Sequence, residues 1–333
     1  MTTLGTTGMA WYGGVLAHAG HDELTPLTPV TFFTRAEPFS LPTLLMLVAA
    51  GLYLAGVVRL RRRGDAWSPG RTACYLIGLA LIGLVTVTGL EAYDTSLLSV
   101  HMVQHMVMSM VSPIFLALGA PVTLALRTLG PRPRSALLTV LHSRAARLYS
   151  FPLVSGGIYV VTPFVLYFSG LYRLSLQHPT VHTLVHIHLV AVGCLFYWPL
   201  IGLDPVPGRQ PYPMRALIMF LSTPFHTVLG LTVMQSSNLL GGDWYPSLDL
   251  PWADPAGDQR LAGGILWAGG EFVAVAMLGA LVVQWMRQSE REARRIDRAL
   301  DRAEAEAAEA ARHPDRPTTS VASTVEPSAE KDR

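Results

Sequence analysis

The stretch that decides the fold is residues 96–119, SLLSVHMVQHMVMSMVSPIFLALG. It contains no Asp, Glu, Lys or Arg, and it is long enough for a bilayer core, which takes about 20 mainly apolar residues as a helix. The same stretch carries His101, Gln104 and His105. Ionisable groups inside lipid cost several kcal/mol and mark a pathway or a site. The segment therefore reads as a membrane span with a polar face turned toward other helices.

Working outward, six further stretches qualify as spans: roughly 41–58, 72–90, 151–170, 181–201, 214–235 and 261–286. The fold class is an all-α, polytopic transmembrane bundle of about seven spans. Composition agrees. Half of the residues are hydrophobic and only 14% are charged, against roughly a quarter in soluble domains. Mean hydropathy is +0.36. A net charge of +2 gives no argument for a nucleic-acid partner. Cys74 and Cys194 sit singly inside apolar stretches, which excludes a disulfide framework and paired-thiolate metal capture.

The connections alternate in charge. One side carries Arg59, Arg61, Arg62, Arg63 and Arg71, then Arg127, Arg132, Arg134, Arg144 and Arg147, then Arg209 and Arg215. The segment after the last span adds Arg287, Arg291, Arg294, Arg295, Arg298 and Arg302, while the opposite side carries Arg35, Arg173 and Arg260. Cytoplasmic loops hold the Arg/Lys excess, so the N-terminus is placed outside and the C-terminus inside. Residues 1–40 read as an extracytoplasmic segment without the pattern of a signal peptide, and 41–286 as the seven-helix domain. Residues 287–312 read as a charged cytoplasmic helix, with Glu290 and Arg294 at contact spacing, and 313–333 as a disordered tail. The outer connection 236–260 reads as an ordered, turn-rich cap with Trp244, Tyr245 and Trp252 near the headgroups.

The polar residues inside spans are concentrated. His101 and His105 are four apart, as are His182 and His186, so each pair shares a helix face. Met108 lies three beyond His105 on that face; His188 points elsewhere. His226 and Glu271 stand in the sixth and seventh spans. At about 1.5 Å of rise per residue, His101 and His186 lie about 7 Å below the outer ends of their spans. His182 lies near the mouth, and His105, His226 and Glu271 at roughly 13–15 Å. The expectation is a polar pocket open to the outside. His18 and His21 read as part of a floppy tail, with a weak outer metal-capture arm as the alternative.

Imidazole suits copper, zinc, iron and nickel, and thioether shifts preference toward Cu(I). Zinc more often recruits cysteine or several carboxylates. The pocket therefore favours copper, with His101, His105, His182 and His186 as ligands and His226, Met108 and Glu271 as ligands or supports. A b-type haem held by facing histidines is the main alternative, although the small residues Ala117, Gly119 and Ala120 lie away from His101 and His105. A proton path through Glu271 and His226 is a second alternative, a docking scaffold without metal a third, and a copper importer a fourth. No nucleophile or acid–base constellation points to an enzyme.

Three segments together resemble the polytopic CtaG family, assembly factors for caa-type cytochrome c oxidase. They are SVHMVQHMVMSMVSPIFLALGAPVTLALR at 99–127, HPTVHTLVHIHLVAVGCLFYWPLIGLDP at 178–205 and STPFHTVLGLTVM at 222–234. The resemblance covers about residues 40–290. It implies a seven-span bundle in a bacterial plasma membrane and cytochrome c oxidase subunits as partners. It further implies a role in oxidase maturation, with copper supply as the proposed chemistry, and the matching positions are His101, His105, His182, His186 and His226.

Overall fold

The computed structural model describes residues 24–207 and 210–312, and every element among them is helical. Thr28 opens α1 (Pro29–Thr34) with a reciprocal cap to Thr31, and Ser40 caps α2 (Leu41–Arg62) by accepting from the Thr43 amide. Arg59, Arg61 and Arg62 occupy the last turn of α2, where cations meet the negative end of the helix dipole. Leu44, Leu45, Leu47 and Leu52 of α2 are exposed, as are Phe220, Leu221, Phe272 and Val275 elsewhere. Such a belt needs lipid to cover it.

The second span, α3 (Pro69–Thr86), stops short of the expected residue 90. Thr88 ends it by capping a separate short helix, α4 (Gly89–Asp94), through the Leu90 amide. Gly89 allows α4 to lie against α1: a Cβ there would stand 2.5 Å from the Thr31 carbonyl oxygen and 2.9 Å from Phe32 Cα.

The third span is interrupted. It runs as α5 (Leu98–Met106), a π turn at Val107–Val111 and α6 (Ser112–Leu118). Pro113 has no N–H to offer the Ser109 carbonyl four residues earlier, and a π turn is the usual way a helix absorbs such a mismatch. The Ser109 hydroxyl donates to the His105 carbonyl at 2.7 Å. Ala120 then turns the chain with φ +48° into α7 (Pro121–Thr128).

Two helices, α8 (Pro131–Leu141) and α9 (Arg144–Tyr149), lead to α10 (Pro152–Phe168). The fourth span is short. Extended backbone at Ser169 breaks it, and α11 (Gly170–Gln177) departs at 70°. Helix α12 (Pro179–Ile201) is central and packs against the π turn and α6 of the third span, α10 and α11. A Cβ at Gly193 of α12 would stand 2.6 Å from Pro113 Cγ and collide with the Ser109 carbonyl. The glycine therefore lets α12 seat against the π turn. Helices α13 (Tyr212–Gln235), α14 (Trp244–Ser247) and α15 (Pro255–Arg312) complete the chain. Among the described residues six helices are long and apolar enough to cross a membrane, or seven with the bent α10–α11 pair counted as one.

The cap between α13 and α15 departs from expectation in one respect. Helix α15 begins at Pro255, so the cap ends at residue 254 and not 260. Its aromatic residues are also engaged inside the protein. Trp244 Nε1 donates to the Thr95 carbonyl at 2.8 Å and Trp252 Nε1 to the Leu24 carbonyl at 2.7 Å. The Tyr245 hydroxyl meets that of Tyr172 at 2.6 Å. These hydrogen bonds tie the cap to the C-terminal end of α4, to the segment before α1 and to α11.

The chain divides into two compact units at Val282 and Val283. Among the described residues the second holds the charged remainder of α15, which is helical to Arg312. The tail 313–333, His18 and His21 lie outside the described residues.

Candidate metal centre

Three of the expected histidines converge on one carboxylate. Asp94 closes α4 at the same end of the bundle where α5 and α12 begin. Its Oδ1 lies 2.5 Å from His101 Nδ1 and its Oδ2 lies 2.6 Å from His182 Nε2. His186 Nε2 is 3.1 Å from Oδ2, although without hydrogen-bond alignment. His101 comes from the first turn of α5; His182 and His186 share a face of α12. Asp94, His101, His182 and His186 are all buried.

Burial opposes ionisation of Asp94, but His182 and His101, by charge and by hydrogen bond, hold its carboxyl well below the usual carboxylate range. Asp94 is thus an anion in the interior, and an interior anion needs a compensating cation. The His101 and His182 rings hydrogen-bond Asp94 from both sides. His101 Nε2 and His186 Nε2 are buried without a hydrogen-bond partner.

Glu91 stands one turn before Asp94 on α4. Burial raises its carboxyl above the usual range; His186 opposes the rise and Asp94 adds to it. Its Oε2 is buried and unpaired. Among the described residues two groups bring ligand atoms within 4.8 Å of one another: Asp94 with His101 and His186, and Glu91 with His182 and His186.

Neither group includes His105, His226 or Glu271. His105 Nδ1 bonds the Tyr167 hydroxyl at 3.0 Å. The His226 ring packs 5.2 Å from that of Tyr159. Glu271 accepts from the Thr227 hydroxyl. Met108 is buried in the π turn, within the main apolar cluster. His188 is exposed and meets Thr162 at 3.3 Å.

Aromatic rings enclose the centre. The His101 ring lies 5.0 Å from Tyr172 and 5.9 Å from Tyr167, and the Tyr172–Tyr245 bond joins this wall to the cap. Ser99, two residues before His101, is held through its amide and hydroxyl by Asp258 of α15.

An uncharacterised protein of Mycobacterium bovis and one of Mycobacterium tuberculosis are each 40% identical over 257 residues, covering 75% of this chain and 39% of their own length. An uncharacterised protein of Mycobacterium leprae is 36% identical over 290 residues, covering 85% of this chain and 44% of its own. The chain thus spans about two fifths of the curated relatives it matches. No solved structure matches it. The family model for the cytochrome c oxidase caa3 assembly factor, Caa3_CtaG, matches residues 51–288, and the chain belongs to that family.

Proposed function

We propose that this chain assists assembly of a caa3-type cytochrome c oxidase by holding a copper ion at Asp94, His101, His182 and His186 for transfer to an oxidase subunit. The observation that carries the reading is the convergence of three buried imidazoles, from two helices, on one buried carboxylate. Imidazole nitrogens suit copper. One ionised carboxylate balances the single charge of Cu(I) without leaving net charge in a low-dielectric interior. Asp94 also stands between the rings of His101 and His182, whose centroids are 6.1 Å apart. A porphyrin would need that space, so the arrangement favours a small cation over haem.

The centre lies at the end of the bundle opposite Arg59, Arg127 and Arg215. With arginine-rich connections on the cytoplasmic side, it faces the extracytoplasmic side of a bacterial plasma membrane. That is where a copper centre of the oxidase could receive the ion. The role is one of carriage and not catalysis.

The test is elemental analysis of the full chain in detergent after loading with Cu(I) or Zn(II), beside His101→Ala and His186→Ala. About one copper per chain is expected, falling at least about tenfold in each variant, in line with loss of a principal ligand. Equal copper in all three proteins overturns the assignment, and retention of zinc in place of copper overturns the choice of metal.

A further inference from the structure

Two overlapping sets of donors occupy one cluster, and they differ in depth. Asp94 is fully buried, while Glu91 is only partly so. Both project from α4 three residues apart, hence on one face. Both sets use His186, so the two positions share a ligand. Glu37, which is exposed, acts electrostatically on Glu91, and its amide is fixed by the Val87 carbonyl at 2.8 Å just before α4. Carboxylates therefore step from the surface at Glu37, through Glu91, to the interior at Asp94.

We infer that Glu91, with His182 and His186, forms an exchange position through which a transition-metal cation reaches and leaves the buried position completed by Asp94 and His101. The inference rests on the metal-holding reading above and adds a route and a residue to it. The unpaired, buried Oε2 of Glu91 is the ligand atom on offer. The shared His186 lets the ion move by exchanging one ligand at a time. At no step is it stripped bare in an apolar interior, where an unpaired charge is costly. The intermediate also keeps a carboxylate beside the cation throughout.

The experiment is the rate of Cu(I) loss from loaded full chain to a strong chelator, with the rate of loading measured separately. Glu91→Gln removes the exchange position but leaves the deep one. Loading and loss should both slow at least about tenfold, a barrier rise of about 1.4 kcal/mol. Asp94→Asn should do the opposite and speed loss, because it weakens the deep position. If Glu91→Gln speeds loss as Asp94→Asn does, Glu91 is an ordinary ligand and the exchange position is overturned. Wild-type rates in Glu91→Gln overturn it equally. A second variant, Glu37→Gln, changes only an exposed side chain; it should slow loading about threefold at low ionic strength and have no effect at high salt. Salt-independent loading in both wild type and Glu37→Gln overturns the surface end of the route. A wild-type chain that retains no copper after loading defeats the underlying function itself, a result separate from any of these.

Discussion

Asp94 and His182 are 88 residues apart in the chain, yet the Asp94 Oδ2 and His182 Nε2 atoms lie 2.6 Å apart, fully enclosed by the bundle. The pair joins a short helix that crosses nothing to the central span of the molecule. Loss of either partner strands the other, and a buried charge left alone costs about 3–5 kcal/mol. Asp94→Ala should therefore lower the thermal unfolding temperature in detergent and abolish copper retention together. A variant that loses copper at unchanged stability would separate the carboxylate's two roles.

His105 offers a contrast. It lies on the same helix face as His101 but bonds Tyr167 and belongs to neither donor group. His105→Ala should keep copper within about twofold of wild type, where His186→Ala loses at least about tenfold. Elemental analysis of the two proteins side by side decides this. Comparable losses would place His105 among the ligands.

The hydroxyls of Tyr172 and Tyr245 meet at 2.6 Å and fasten the cap to α11. Tyr245→Phe removes one hydroxyl from a buried pair, a change of about 1 kcal/mol. The cap should open more often, so hydrogen exchange at the amides of 240–250 should speed by roughly fivefold. Unchanged exchange would show that Trp244 and Trp252 hold the cap without help.

Gly193 faces the π turn where a Cβ would collide with Ser109 and Pro113. Gly193→Ala should destabilise the protein by about 1–3 kcal/mol through overpacking. Because His186 lies two turns away on the same helix, copper affinity should fall as well. Thermal unfolding and copper titration of the variant check both. Full stability would mean that the third span yields more readily than its packing implies.

Much of the membrane domain was legible from hydropathy, because a helix in lipid must be apolar over its length. The charge-free run at 96–119 and the leucines of α2 needed no tertiary information. The paired spacing of His101 with His105 and of His182 with His186 was legible too. It was silent about which member of the first pair would reach the centre, since His105 found a tyrosine instead. Asp94 and Glu91 were missed because they fall in EAYD, taken as a connection between two spans. A signal was present: Thr88 and Glu91 have the spacing of a helix-start box, which marks residues 89–94 as a helix of their own. Such a helix puts Glu91 and Asp94 on one face. The internal hydrogen bonds of the cap aromatics were not legible for a similar reason. Nothing local announces that Thr95 and Leu24 will offer carbonyls to Trp244 and Trp252.

The short helix α4 contributes the anion, α5 one imidazole and α12 two more, so the centre is written in three places along the chain. During synthesis Asp94 is made well before His182 and His186, and until α12 has been inserted and seated on the π turn the carboxylate has at most one of its three nitrogen partners. Under the proposed function, capture of an ion would therefore report that the bundle has closed. A truncated or misassembled chain would then hold no ion, and the loaded state would be a natural mark of a finished product.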